Sequence, residues 1–302
     1  MDAIFLTSGD VIIDRRFEWA RDLEAKGDFA GAADILTQTV ELSPGYAAAW
    51  FLLGHLREQQ GESAGAILAF EQARAIDPED RHGASLRLTR LGAARHAMSD
   101  GYVRTLFDGY ALTFDRALRT GLGYVAPELI VAAVRAARPE MSFGAALDLG
   151  CGTGLGGEAF KPFCTTITGV DLSPAMVAQA QDKGVYDRLI EGEAVAFMRG
   201  EAQLYDLIIA ADVFIYVHDI AELLVQSARV LAPGGLVAFS VETHDGDGAI
   251  LRDTLRYAHS PTHFREALDL AGLNLVSLDS APARSEKGVP VPGLVGVARN
   301  DP

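Results

Sequence analysis

The sequence predicts an α/β domain built on a doubly wound, mostly parallel sheet, preceded by an all-α domain of helical repeats. Three observations carry this reading. The first 95 residues repeat themselves at an offset of 34 residues. From about residue 140, short β-rich runs alternate with helical patterns. Five glycines follow directly on the first of those runs. The expected division is therefore 1–95 and 96–302, with the α/β core starting near 140.

Within the first region, Gly27-Asp-Phe-Ala-Gly aligns with Gly61-Glu-Ser-Ala-Gly, and Glu41-Leu-Ser-Pro44 with Ala75-Ile-Asp-Pro78. The offset is the tetratricopeptide period. In the second copy Trp50, Leu53 and Gly54 fall on one helix, Ala66, Phe70 and Ala73 on its partner, and Pro78 ends the unit. Small residues let the paired helices approach while Trp50 and Phe70 fill the gap. The first copy keeps Trp19, Ala20, Gly27, Ala32, Leu36 and Pro44. A third helix over 84–91 is expected to cap the stack. Such repeats offer a protein-binding or self-associating surface, or a lid over the second domain.

His96–Gly101 reads as a linker, and Tyr102 to about Ala137 as helical. Strands are expected at Ala145–Leu149, Thr165–Val170, Arg188–Glu191, Leu204–Ala210, Leu236–Ser240, Leu273–Leu278 and Val295–Arg299. Helices lie between them, among them Ser173–Lys183, where serine caps and Pro174 takes the first helical position, and Ile220–Leu231.

Bulk composition narrows the function classes. The net charge of −15, from 41 acidic and 26 basic residues, repels polyanions and argues against nucleic acid and anionic membrane surfaces. Two cysteines cannot alone build a disulfide framework or a zinc cluster, so no metal site is expected. The N-terminal residues lack a basic segment followed by a long apolar one, and a cytoplasmic location is the expectation.

The glycines of Asp148-Leu-Gly-Cys-Gly-Thr-Gly154 sit between strand and helix, at the crevice where doubly wound sheets bind ligands. Gly152, Gly154 and Gly157 formally fit a dinucleotide fingerprint, but Asp148 before the loop would repel a pyrophosphate and suits an ammonium-bearing ligand. No phosphate-cradling lysine motif occurs. Asp171 closes the second expected strand, where a carboxylate accepts hydrogen bonds from ribose hydroxyls.

That loop, followed by Gly169-Val-Asp-Leu-Ser-Pro-Ala-Met176, resembles the class I S-adenosylmethionine-dependent methyltransferases over about residues 100–302. With its N-terminal repeats the chain resembles bacterial tetratricopeptide-containing methyltransferases. The resemblance implies a Rossmann-like seven-stranded sheet with helices on both faces and a reversed last strand at Val295–Arg299. It implies S-adenosylmethionine as cofactor and S-adenosylhomocysteine as product. Residue by residue, Gly150, Cys151, Gly152 and Gly154 would line the amino-acid portion, with Asp148 near its ammonium. Asp171 would hold the ribose, Leu172 and Met176 would flank the adenine, and Glu193 with Ala194 would contact its amine. Ala211, Asp212 and Tyr216, around the fourth strand's end, would sit beside the methionine part and the transfer site. Leu106-Phe-Asp-Gly-Tyr110 resembles the helix that precedes the core in small-molecule methyltransferases, with Tyr110 a lid over the cofactor or a packing residue beside Phe107 and Phe114.

On the acceptor side, His218 and His259 are the candidate bases. Arg256 is a candidate carboxylate fork, and Tyr257 and Glu242 complete the expected substrate set. The expected function is methyl transfer to a small-molecule or protein acceptor. The alternatives are a repeat scaffold with a non-catalytic cofactor domain, and a nicotinamide-dependent oxidoreductase, against which Asp148 and the loop spacing argue.

Overall fold

In the computed structural model, residues 7–94 and 98–301 are described; His96 and Ala97 of the expected linker, and the first six residues, lie outside them. The chain divides into two units, 1–105 and 106–302.

The first unit is helical throughout its regular structure: α1 (Val11–Ala25), α2 (Phe29–Leu42), α3 (Ala47–Gln59), α4 (Ser63–Ile76) and α5 (Ala84–Arg90). Asp10 and Asp28 cap α1 and α2 by accepting backbone N–H groups with their carboxylates. Gly54 is needed for close approach, because a Cβ there would lie 2.7 Å from the Phe70 ring. Trp19 departs from the expected packing. It occupies the repeat register of Leu53, which is 1% exposed, yet is itself 59% exposed, because α1 buries Ala20 and leaves Trp19's face uncovered among the described residues.

In the second unit, α6 (Asp100–Tyr110, beginning in the first unit) leads through a 3₁₀ turn, the single turn α7 (Phe114–Arg116) and a π-helical turn at Ala117–Leu122 into α8 (Ala126–Ala137). Then follow β1 (Phe143–Leu149), α9 (Leu155–Phe160), β2 (Cys164–Asp171), α10 (Pro174–Lys183), β3 (Arg188–Glu191), α11 (Ala194–Gly200), β4 (Tyr205–Ala211), α12 (Ala221–Val230) and β5 (Leu231–Glu242). A short hairpin, β6 (Ala249–Leu251) and β7 (Tyr257–His259), precedes α13 (Pro261–Leu270) and β8 (Asn274–Ser280). A second, β9 (Ser285–Glu286) and β10 (Val289–Pro290), precedes β11 (Gly293–Arg299). The sequence reading has neither hairpin, since strands of two or three residues leave no periodicity to read.

Seven strands form one sheet in the order β3-β2-β1-β4-β5-β11-β8. β1 pairs parallel with β2 and β4, while β11 runs antiparallel to both β5 and β8, so the last strand is the reversed one. Both faces are covered, and the strands show it by alternation. Leu147, Ile208, Ala210, Val237 and Phe239 pack with α12 and α13 on one face. Ala146, Leu207, Ile209, Leu236 and Ala238 pack with α8 on the other. The strand order turns back between β1 and β4, which opens a crevice at their carboxyl ends. No single helix among the described residues is long and apolar enough to cross a membrane.

Candidate functional site

The crevice has two sides. On the β1–β2 side, Gly150, Gly152 and Gly154 adopt φ of +57°, +53° and +95°, a region that costs any side-chain-bearing residue strain. A Cβ on Gly150 would press on Val213 at 2.8 Å, whereas one on Gly152 would meet only Phe114, at 3.8 Å. The Gly152 main chain thus opens onto free space beside an aromatic ring. Asp171 fixes that loop: Gly152 N–H and Ser173 N–H each donate to its carboxylate at 2.8 Å. Burial raises the Asp171 pKa against those hydrogen bonds. Cys151 serves the loop from behind. Its N–H is taken by the Val170 carbonyl, its thiol packs toward Gly169, and burial pushes its pKa well above the usual thiol range.

Asp148 is 1% exposed and accepts the Tyr186 phenol at 2.7 Å. Burial, with the Asp171 charge adding to it, pushes its pKa up to about 7. Both aspartates are buried, Asp148 hydrogen-bonded to Tyr186 and Asp171 to the loop's main chain.

The segment before the sheet clamps onto this side. Ser173 Oγ donates to Asp108 at 2.5 Å, Thr153 Oγ1 donates to Asp115, and Lys183 reaches Asp115 at 2.7 Å. Phe107 packs edge-on to Phe114 and Tyr216, with centroids 5.8 and 5.2 Å apart. Tyr110, the expected lid, is 53% exposed, because its helical neighbours Phe107 and Phe114 take the inward face. Among the adenine-side candidates, Met176 is fully buried on the inner face of α10, Leu172 lies in the turn after β2, and Glu193 caps α11, accepting Val195 and Ala196 N–H at 2.8 and 2.6 Å. Ala194 is the first residue of that helix.

The β4–β5 side is polar. Beyond Ala211, the last residue of β4, Asp212 sits at φ +57°, strained for an aspartate. Ser240 Oγ donates to it at 2.6 Å and Arg284 at 2.6 Å. Arg284 also donates to Glu242, the last residue of β5, which Arg256 reaches at 2.7 Å and Arg252 at 3.3 Å. Arg256 and Arg284 both face Glu286. Arg256 is thus committed to protein carboxylates rather than held open as a fork. Tyr124, delivered by the π-helical turn and left-handed Gly123, has its phenol pKa raised well above its usual value by burial, then by the charge of Asp212.

The candidate bases part company. His218 packs edge-on against Tyr257 at 5.2 Å and is half-buried just past the β4 end. His259 is fully buried, with its Nε2 on the Phe214 carbonyl at 3.0 Å, and burial lowers its pKa to about 4. Tyr257 is 1% exposed, its hydroxyl without a hydrogen-bond partner among the described residues. His259 and Tyr257 are thus both closed off from solvent, while His218 is not. The residues that sequence reasoning missed are Tyr124, Tyr186, Ser240 and Arg284. None lies in a recognisable motif; only the glycine before Tyr124 marks a turn.

Residues 147–239 match the methyltransferase-domain family model and residues 17–81 a tetratricopeptide-repeat model. A ubiquinone biosynthesis O-methyltransferase of Coxiella burnetii is 29% identical over 97 residues, covering 31% of this chain and 42% of that protein. Nodulation protein S of Rhizobium tropici is 32% identical over 31% of this chain and 41% of its own length. The chain thus spans about two fifths of the curated relatives it matches. The crystal structure of a 1,6-didemethyltoxoflavin-N1-methyltransferase from Burkholderia thailandensis superposes with a TM-score of 0.54 at 21% identity, covering 69% of this chain and 93% of that one, a likeness of fold.

Proposed function

From the premise that this chain carries a methyltransferase domain behind tetratricopeptide repeats, we propose that it transfers a methyl group from S-adenosylmethionine to an acceptor. One observation carries the reading: three left-handed glycines whose central member opens beside Phe114, tied by its N–H to Asp171 at 2.8 Å. The residues fit the cofactor. Bare main chain at Gly150–Gly154 suits its amino-acid portion, and Asp171 keeps lone pairs for ribose hydroxyls on oxygens the loop already orients. Asp148, held by Tyr186 and with its pKa pushed up to about 7, lies where the ammonium would rest, and an ammonium beside it would favour its ionised form. Glu193, with its oxygens engaged as an N-cap, shapes the turn beside the adenine. Bound there, S-adenosylmethionine supplies a methyl group already activated on a sulfonium, so the protein's part is to position the acceptor and exclude water.

The acceptor is a small molecule enclosed between the pre-sheet helices and the β4–β5 rim, or a side chain of a protein partner brought by the repeats. The relatives' own acceptors, in ubiquinone biosynthesis and on 1,6-didemethyltoxoflavin, show that O- and N-acceptors occur on similar chains. Calorimetric titration with S-adenosylhomocysteine tests the reading; saturable one-to-one binding is expected. Binding of a reduced nicotinamide dinucleotide in its place would overturn it.

A further inference from the structure

One tyrosine ring packs against the glycine loop and the two elements beside it. α10 ends at left-handed Gly184, φ +64°, and Asp187 pins the following turn to β2. Its N–H donates to the Ile167 carbonyl at 2.9 Å, and its carboxylate accepts Ile167 N–H at 2.8 Å. Tyr186 is held between that glycine and that clip. Three glycines converge on its side chain: a Cβ on Gly154, Gly157 or Gly169 would lie 3.1, 2.5 or 3.0 Å from the ring. The loop, the first turn of α9 and strand β2 therefore all meet Tyr186 with bare main chain. The hydroxyl is engaged on both sides. It accepts Gly157 N–H at 3.2 Å and donates its single hydrogen to Asp148 at 2.7 Å. One phenol thus ties the buried carboxylate of β1 to the start of α9.

We propose that Tyr186 is a positioning residue of the cofactor site, whose hydroxyl holds Asp148 in place and favours its charged form for the ammonium of the cofactor's amino-acid portion. This rests on the methyltransferase reading above. A phenol O–H donated to a carboxylate stabilises the ionised state. It works here against burial, which pushes the Asp148 pKa up to about 7. An ammonium arriving beside Asp148 ionises it, and the displaced proton leaves to solvent. Affinity for an ammonium-bearing nucleoside therefore rises with pH while free Asp148 still holds its proton. The other titratable groups facing Asp148 are Asp171 from the end of β2 and Cys151 from the loop, while Tyr124 and Cys164 feel its charge. Lys183 of α10, beside Gly154, is paired with Asp115 and Glu158. Tyr186 is the one of these that hydrogen-bonds Asp148 among the described residues.

Two nucleosides test this, titrated calorimetrically into the full chain between about pH 5.5 and 8.5. S-adenosylhomocysteine carries the ammonium; 5′-methylthioadenosine has the same nucleoside and thioether without it. In the parent protein the affinity for S-adenosylhomocysteine should rise with pH to a plateau, and that for 5′-methylthioadenosine should not follow the rise. Tyr186→Phe keeps the ring and deletes the hydroxyl. It should move the rise up by about one pH unit, the worth of one hydrogen bond to a charged group. At pH 7 it should weaken S-adenosylhomocysteine at least about fivefold and leave 5′-methylthioadenosine within about twofold. A merely structural role would weaken both alike. Gly157→Ala, which drives a methyl group into the same phenol, should reproduce the pattern, and it decides the matter if Tyr186→Phe fails to fold. A flat parent profile, or variants that weaken both nucleosides equally or neither, would overturn the proposal while leaving the cofactor site standing. If neither nucleoside binds the parent protein, the methyltransferase reading falls and this inference with it.

Discussion

On the β1–β2 side of the crevice, Gly150, Gly152 and Gly154 lie within five residues of chain, and Asp171 follows Gly152 by 19. On the β4–β5 side, the ion pair between Asp212 and Arg284 spans 72 residues, and Glu242 is met by arginines from two separate hairpins. The first side is made of main chain, its carboxylates hydrogen-bonded mostly to neutral groups. The second is made of side chains, its charges balanced against one another. The difference teaches that the glycine side depends on local backbone geometry and the polar side on a buried electrostatic network that the whole second unit must assemble.

The sharpest way to break this comparison is to remove the hub of the network. Glu242→Ala leaves three arginines without their shared, 3%-exposed partner. The expected cost is about 3–5 kcal/mol of stability, read as a fall in denaturation midpoint. A loss near zero would mean that the pairs are decoration and the two sides are not so different.

Next in size is a pH effect confined to the glycine side. The folded Asp148 pKa is about 7, against about 3.9 in an unfolded chain. Between those values the native state holds a proton that the unfolded state releases. Stability therefore declines as pH rises through that window and levels off above it. Asp148→Asn, whose amide oxygen can still accept the Tyr186 phenol, should flatten the profile and raise stability at pH 8 by a few kcal/mol. An unchanged slope would show that Asp148 is ionised in the fold.

Asp171→Asn tests the mouth of the loop. An amide has one acceptor oxygen, so either Gly152 N–H or Ser173 N–H loses its partner and the ribose loses a carboxylate. S-adenosylhomocysteine affinity should fall about a hundredfold, or about 2.7 kcal/mol; calorimetry giving the parent's affinity would remove Asp171 from the pocket. The smallest effect belongs to Glu193→Ala, which deletes the cap of α11 and should cost about 1 kcal/mol of stability. If S-adenosylhomocysteine binding then weakens more than about tenfold, Glu193 contacts the nucleoside directly and does more than shape the turn.

What was legible follows the same division. The seven main strands, the reversed β11 and the glycine loop are encoded in contiguous stretches, where hydrophobic alternation and glycine spacing write local conformation into local sequence. His259 could not be judged that way. Its segment reads as an ordinary polar stretch, and only packing behind the Phe214 turn reveals a fully buried, neutral ring. Tyr110 and Phe107 likewise share one helix, and tertiary packing alone sends Phe107 inward and leaves Tyr110 out.

By itself, then, the sequence determined the repeat period, the sheet, the bare loop and the carboxylate that anchors it, because each is an interaction among residues close along the chain. Tertiary structure alone decided that Tyr186 meets Asp148, that Arg284 pairs with Asp212 and Glu242, and that His259 is fully buried. Those depend on which distant segments meet and how much water they exclude, and no short-range pattern records either.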